Sequence, residues 1–210
     1  MFAVSQPKLS LSTIQLIRKA VLLAVVIGGV FLVASATSRW PDGGLLHETI
    51  ELVGFALIVF CILGRTWCTL YIGGLKNKSV IDLGPYSVTR NPLYVFSVIG
   101  AVGAGAQLGS MVIALLTGVI TWAIFYILIF SEESSLRNQF GAAYRSYVAR
   151  VPRFLPNITL WRDADSLTIK PKNVRTTFFD ACIFLISIPI AEGFDYLHLI
   201  GVIPVLFQVP

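Results

Sequence analysis

Between two long apolar segments lies the polar stretch Gly84-Pro85-Tyr86-Ser87-Val88-Thr89-Arg90-Asn91-Pro92-Leu93-Tyr94, with two prolines, an arginine and two tyrosines. Prolines at positions 85 and 92 cannot both lie inside one helix. Pro85 is expected in a turn after Gly84. Pro92 is expected in the first turn of the next helix, where its missing N–H is not needed and its φ is already helical. Asn91 is then the expected N-cap. This placement sets Arg90, Asn91 and Tyr94 beside the open N–H groups of a helix start, a position suited to an anion. Taken alone, the stretch is explained equally well as a loop-to-helix joint with Arg90 on a lipid phosphate.

A second polar group follows a later apolar segment, starting with Ser131-Glu132-Glu133-Ser134-Ser135-Leu136 and continuing with Phe140-Gly141, Tyr144 and Tyr147. Glu133, Leu136, Phe140, Tyr144 and Tyr147 recur at helical spacing and share one face, with a carboxylate at the head of an aromatic stripe. Arg137, Asn138 and Arg145 fall on other faces. Val151-Pro152-Arg153-Phe154-Leu155-Pro156 ends this helix and turns the chain back. An i,i+4 pair of Glu133 with Arg137 would account for one of the two glutamates, and an aromatic stripe by itself reads more readily as core than as a ligand site.

The elements that carry these residues are membrane helices. Of the 210 residues 56% are hydrophobic and only 13% charged, with a mean hydropathy of +0.79; soluble domains carry about 25% charge. The expected fold is an all-α polytopic membrane bundle of about five transmembrane helices with a cytoplasmic cofactor-binding segment. The spans are placed at about Ala20–Ala36, Glu48–Gly73, a hairpin of Leu93–Ala106 and Met111–Phe130, and a fifth from Phe178 to about Ala191. The fifth is broken by Pro189 and Glu192-Gly193-Phe194-Asp195, after which Tyr196–Gln208 is apolar again; one bent span, or a span plus an interfacial helix, would each fit. The chain divides into a cytoplasmic lead (1–19), two spans (20–73), a core of polar loop, hairpin and amphipathic helix (74–156), and a linker with a C-terminal membrane segment (157–210).

With a cytoplasmic N-terminus every Lys and Arg except Arg39 falls on the cytoplasmic side, if Arg65, which either snorkels to the cytoplasmic surface or, a little less favoured, faces a site, is counted there. Both polar groups then share one membrane face. The net charge of +5 suits loops beside anionic lipid, and no basic stripe on a soluble surface points to nucleic acid. No cleavable signal peptide is expected, because the first apolar run starts late, after Arg18-Lys19. Cys61, Cys68 and Cys182 lie in apolar segments and read as small hydrophobes, not as a metal or disulfide framework. Gly100, Gly103 and Gly105 read as close helix packing rather than a cofactor approach.

In order, these motifs resemble the isoprenylcysteine carboxyl methyltransferase and phospholipid methyltransferase family of integral membrane enzymes. The family pattern is Gly-Pro-Tyr, then Arg-His-Pro-x-Tyr, a membrane hairpin, Glu-Glu-x-x-Leu, Phe-Gly-x-x-Tyr-x-x-Tyr and Val-Pro-Arg-Phe-x-Pro. It is met by Gly84-Pro85-Tyr86, Arg90-Asn91-Pro92-Leu93-Tyr94, Glu132 to Leu136, Phe140 to Tyr147 and Val151 to Pro156, over roughly residues 60–156. The family histidine is Asn91 here, and an amide cannot act as a base. The chain also continues past Pro156 into a further apolar region.

The resemblance implies S-adenosylmethionine as cofactor, held by Tyr86, Asn91, Pro92, Tyr94, Glu132, Glu133, Leu136, Tyr144 and Tyr147. The helix start at Asn91-Pro92 suits the cofactor carboxylate, either glutamate its ammonium or ribose hydroxyls, and the tyrosines its adenine or sulfonium. Arg90, with Arg153 second, is expected to orient an anionic group of the substrate, although Arg90 would equally suit the cofactor carboxylate. The acceptor is expected to be a lipid or prenylated molecule entering from the bilayer and methylated on a carboxylate or a phospholipid amine. An NADPH-dependent reductase of the sterol-reductase type, and a non-catalytic membrane protein of the same fold, are the competing readings.

Overall fold

Apolar residues run without interruption from Leu52 to Gly64, and the chain answers with a helix, α1 (Leu45–Ile72). A computed structural model describes residues 36–41, 43–72, 74 and 79–210. The expected N-terminal lead and, apart from the backbone of Ala36, the expected first span lie outside these residues. A short strand β1 (Ala36–Ser38) precedes α1. A polar segment with one helical turn, α2 (Pro85–Val88), leads into α3 (Pro92–Ala106). The turn Gln107–Ser110 then starts α4 (Met111–Arg150).

A strap containing a 3-10 turn (Ile158–Leu160) connects to α5 (Pro171–Cys182), a second 3-10 turn (Ile183–Ile186) and α6 (Ser187–Leu199). The chain ends in β2 (Phe207–Val209), which pairs in parallel with β1. The all-α bundle expected from composition is the architecture found, with this two-stranded ribbon at one end.

Among the described residues three segments are long and apolar enough to cross a membrane: Leu45–Ile72, Met111–Arg150 and Pro171–Leu199. At 1.5 Å per residue α1 is about 42 Å long, ample for a hydrocarbon core of about 30 Å, whereas the 15 residues of α3 reach only about 22 Å. Large apolar side chains such as Leu52, Leu63, Leu115 and Ile127 face outwards along these helices, as lipid contact requires.

α3 is held between α1 and α4 by small residues. A methyl group on Gly103 would lie 2.6 Å from the Gly54 carbonyl oxygen, and one on Gly100 2.5 Å from Cys61 Sγ. The glycine-rich arm is therefore a packing surface, as read from the sequence. Cys61 and Cys68, both fully buried, occupy one stripe of α1.

In the C-terminal region Pro171–Leu199 is a helical run long and apolar enough for one span, and its irregular turn sits at Ile183–Ile186, ahead of Pro189 rather than at it. Pro189 falls in the first turn of α6, where a proline is tolerated. Beyond Leu199 the chain is not helical. It returns along the turn between α3 and α4, where Ser110 Oγ donates to Pro210 O at 2.7 Å and Ser38 Oγ donates to Gly109 O at 2.9 Å. One end of the bundle is thereby closed by the ribbon, and the polar motifs lie at the other.

Candidate active site

Gly84 begins the site. Its φ of +55 is a left-handed value open to glycine, and a side chain there would run into the ring of Tyr71. The chain turns here into α2, with Pro85 in the first turn, then crosses Thr89–Asn91 and enters α3 at Pro92. Asn91 stands at the N-cap position, but its side chain makes no capping bond. Its Nδ2 donates instead to Arg153 O at 3.0 Å. The expected N-cap residue is the one found, but its amide serves a contact between the two polar motifs, and the backbone Asn91 carbonyl accepts from Tyr94 N and Val95 N.

That contact is one of a set. Arg90 N donates to Pro152 O at 2.9 Å and Asn157 N to Val88 O at 2.9 Å, while Thr89 Oγ1 donates towards the Arg153 and Phe154 carbonyls. Gly84 N donates to Arg162 O and Arg162 N to Ser87 Oγ. Tyr147 Oη donates to Tyr86 O at 2.8 Å. The segments after α1 and after α4 are thus joined through the backbone, so side chains distant in sequence share fixed positions.

α4 continues far beyond the start of α3 and breaks at Gly141, whose φ of 53 and ψ of −119 are not helical. Tyr144, Tyr147 and Val151 then pack with Leu136, Phe140 and Val80 over the polar loop. A cavity of about 380 Å³ lies beneath, within the size range of small-molecule sites. Arg90, Tyr86, Asn91, Pro92, Tyr94, Glu132, Glu133, Leu136, Tyr144 and Tyr147 all line it. Arg153 does not.

The two glutamates differ sharply. Glu133 is buried and held by arginines: Arg90 Nη1 lies 2.8 Å from Oε1, and Arg153 donates from Nε and Nη2 at 3.0 Å each. Arg137 stands 3.9 Å away at the expected i,i+4 position. Arg153 also stacks over Phe130 at 4.6 Å. The guanidinium expected to meet substrate is instead fixed behind Glu133. Glu132 is exposed at the cavity mouth and accepts from Tyr94 Oη at 2.8 Å.

Three side chains in the wall carry a buried polar atom without a hydrogen-bond partner among the described residues: the Tyr86 hydroxyl, Arg65 Nε and Arg90 Nε. Burial first, then the neighbouring Cys68 and Tyr147, pushes the Tyr86 phenol well above its ordinary pKa of 10, so it stays a neutral donor.

Of the two placements open to Arg65 from the sequence, snorkelling to the cytoplasmic surface or facing a site, the structure has the second. Arg65 lies in the cavity wall, with Nη1 donating to Ser97 Oγ. The signal was present: Arg65 falls between Cys61 and Cys68 on the α1 stripe that faces α3, and a side chain on that stripe points into the bundle. Ser79, Val80 and Ile81 also line the cavity; nothing in their residue types marked them.

The comparisons with known proteins agree with this geometry. The family model for phospholipid methyltransferases matches residues 50–143. The chain is 31% identical over 166 residues to the cobalt-zinc-cadmium resistance protein CzcN of Cupriavidus metallidurans, covering 79% of this chain and 76% of that one. It is 30% identical over 162 residues to the nickel-cobalt-cadmium resistance protein NccN of Alcaligenes xylosoxydans xylosoxydans, covering 76% and 75%. Over 81 residues it is 31% identical to protein-S-isoprenylcysteine O-methyltransferase B of Arabidopsis thaliana, covering 39% and 41%. No solved structure matches. With its apolar helices, its ordered motifs and these relatives, the chain is a membrane protein and belongs to the phospholipid and isoprenylcysteine methyltransferase family.

Proposed function

We propose that the protein transfers the methyl group of S-adenosylmethionine to a carboxylate oxygen or an amine nitrogen carried by a lipid or lipidated molecule. Members of this methyltransferase family generally use that cofactor. The observation that carries the reading is the cavity at the start of α3, with Arg90 buried in its wall and its Nε unpartnered. The excess of Lys and Arg in the loops at this end supports a cytoplasmic face for it and a cytoplasmic N-terminus.

The donor set fits the cofactor's groups. Arg90 and the N-terminus of α3 suit a carboxylate. Glu133 is already engaged by arginines, which leaves Glu132, oriented by Tyr94, for the ammonium or a ribose hydroxyl. Tyr86, Tyr144 and Tyr147 offer aromatic surface, and the Tyr86 hydroxyl an unused donor. When bound, the cofactor supplies an electrophilic methyl group on a cationic sulfur. The chain's part is to hold the acceptor in line with that methyl and to keep water out, an effect worth many powers of ten when alignment is good. Leu136, Phe140 and the tyrosine stripe form the apolar cover. Asn91 supplies no base, and a carboxylate acceptor needs none.

Among the described residues no three His, Cys, Asp or Glu side chains are grouped to hold a metal ion. The metals in the names of two relatives are therefore not carried over as ligands of this chain. The test is incubation of the purified protein with methyl-labelled S-adenosylmethionine and a total lipid extract. Label in a lipid product supports the proposal. Binding of NADPH in place of S-adenosylmethionine and S-adenosylhomocysteine would overturn it in favour of a reductase, and absence of both binding and transfer in favour of a non-catalytic protein.

A further inference from the structure

We infer that Arg65, braced by Ser97, forms an oxyanion-binding subsite in the membrane-side wall of the cavity, and that it takes the acidic headgroup oxygen of the lipid acceptor. The inference rests on the reading of the cavity as a methyl-transfer site. Arg65 lies seven residues before the end of α1, about 10 Å along the helix from Ile72. A charged side chain at such a depth is costly unless it reaches water or meets a partner. Arg65 does neither in full: Nη1 donates to Ser97 Oγ, Nε is buried without a hydrogen-bond partner, and among the described residues no carboxylate lies in ion-pair range.

Ser97 is buried and passes its own hydroxyl proton to Leu93 O at 2.7 Å, so its oxygen is held in place as the acceptor for the guanidinium. The remaining guanidinium N–H groups are left for a ligand in the cavity that Arg65 lines.

The cavity's own carboxylates do not satisfy this charge. Glu133 is shared by Arg90, Arg153 and Arg137, and Glu132 sits at the mouth on Tyr94. The missing anion must come with a ligand, from either the cofactor or the acceptor. Depth favours the acceptor. Ser97 lies five residues into α3 from Pro92, about 8 Å further into the bundle than the helix start that suits the cofactor carboxylate. A headgroup drawn in on an apolar chain from the bilayer reaches that level, while its tail stays among apolar side chains. The planar guanidinium suits a carboxylate or a phosphate through paired N–H donors.

The experiment uses the full chain in neutral detergent, with laurate, dodecyl phosphate and dodecanol as probes and S-adenosylhomocysteine as the cofactor-side ligand, each read as a thermal shift and by titration calorimetry. The expected result is that the two anionic amphiphiles bind more tightly than dodecanol. Arg65→Gln should weaken them by about tenfold or more while S-adenosylhomocysteine is changed by less than about threefold. Arg65→Lys, which keeps the charge and loses the fork, should fall between, and this variant guards against a folding failure of Arg65→Gln.

Loss of S-adenosylhomocysteine binding with anionic amphiphiles unaffected would assign Arg65 to the cofactor and overturn the inference. Equal loss of all ligands, or no discrimination between laurate and dodecanol in the wild-type protein, would also overturn it. Intact S-adenosylhomocysteine binding with amphiphile binding insensitive to position 65 sinks the subsite alone. Anion binding that depends on Arg65 in a protein that neither binds the cofactor nor transfers methyl sinks the proposed reaction alone.

Discussion

Two adjacent glutamates on one helix have separate tasks, and the difference is one of burial. Glu133, itself buried, neutralises guanidinium groups from two distant segments, the nearly buried Arg90 and the partly exposed Arg153, whereas Glu132 stands at the rim with one tyrosine hydroxyl. Removing one partner from a buried ion pair strands the other charges, at a cost of about 3–5 kcal/mol. Glu133→Gln should therefore lower the thermal midpoint severely. Glu132→Gln, losing one exposed hydrogen bond, should cost about 1 kcal/mol or less and weaken S-adenosylhomocysteine binding instead. Equal thermal midpoints for the two variants in detergent would contradict this assignment.

Asp82 gives a second contrast at the same scale. Burial raises its carboxyl pKa while Arg150 at 2.9 Å and Arg162 at 2.6 Å lower it, and the arginines prevail, so it titrates below its ordinary 3.8. A depressed folded-state pKa contributes stability that is complete above 3.8 and is lost as pH falls through the lower folded value. Wild type should exceed Asp82→Asn by at most about 1 kcal/mol at neutral pH, because the pair is largely solvated. The gap should close in acid, which unfolding curves across pH 2–7 would measure.

Among the elements, the polar loop and the strap after α4 matter most, because their backbones are bonded to each other on both sides of Arg90. Gly84 and Gly141 shape them for different reasons. Both adopt positive φ, so a side chain at either is strained by about 1–3 kcal/mol. At Gly84 a methyl group would also strike Tyr71, while at Gly141 nothing stands within 4 Å. Gly84→Ala should accordingly destabilise the protein more than Gly141→Ala by thermal denaturation. Gly141→Ala should show itself in ligand affinity, since that residue aims the tyrosine stripe at the cavity. A larger loss of stability at Gly141 would mean that the bend, rather than the Tyr71 contact, limits folding.

Across the whole molecule, the site and the closing ribbon lie at opposite ends of the bundle. Deleting residues 200–210 removes β2 and the Ser110 contact to Pro210. It should lower the thermal midpoint yet leave S-adenosylhomocysteine affinity within about twofold, because well-separated sites act independently. A calorimetric titration of the truncated chain checks this, and a large loss of affinity would show the two ends to be coupled. The all-helical bundle and the starts of α3 and α4 were legible in the residues, because hydrophobic length and 3.6-residue spacing are local properties that neighbouring segments do not alter. The stripe from Glu133 to Tyr147 was legible only in part, since Gly141 breaks the helix between Phe140 and Tyr144. Proline and glycine placed the turns at Gly84-Pro85 and before Pro92, but not the break at Gly141 or the irregular turn ahead of Pro189. The side-chain partners were not legible. Asn91 has a capping residue's type and place, but a carbonyl from Arg153 reaches its amide first. Arg153 has the charge to meet a substrate, but Glu133 is nearer. Arg65 stands close enough to a helix end to snorkel, but Ser97 of a facing helix receives it. In each case a local preference worth about 1 kcal/mol was decided by which polar group the bundle brought within 3 Å, and that proximity exists only once α1, α3, α4 and the strap are packed together.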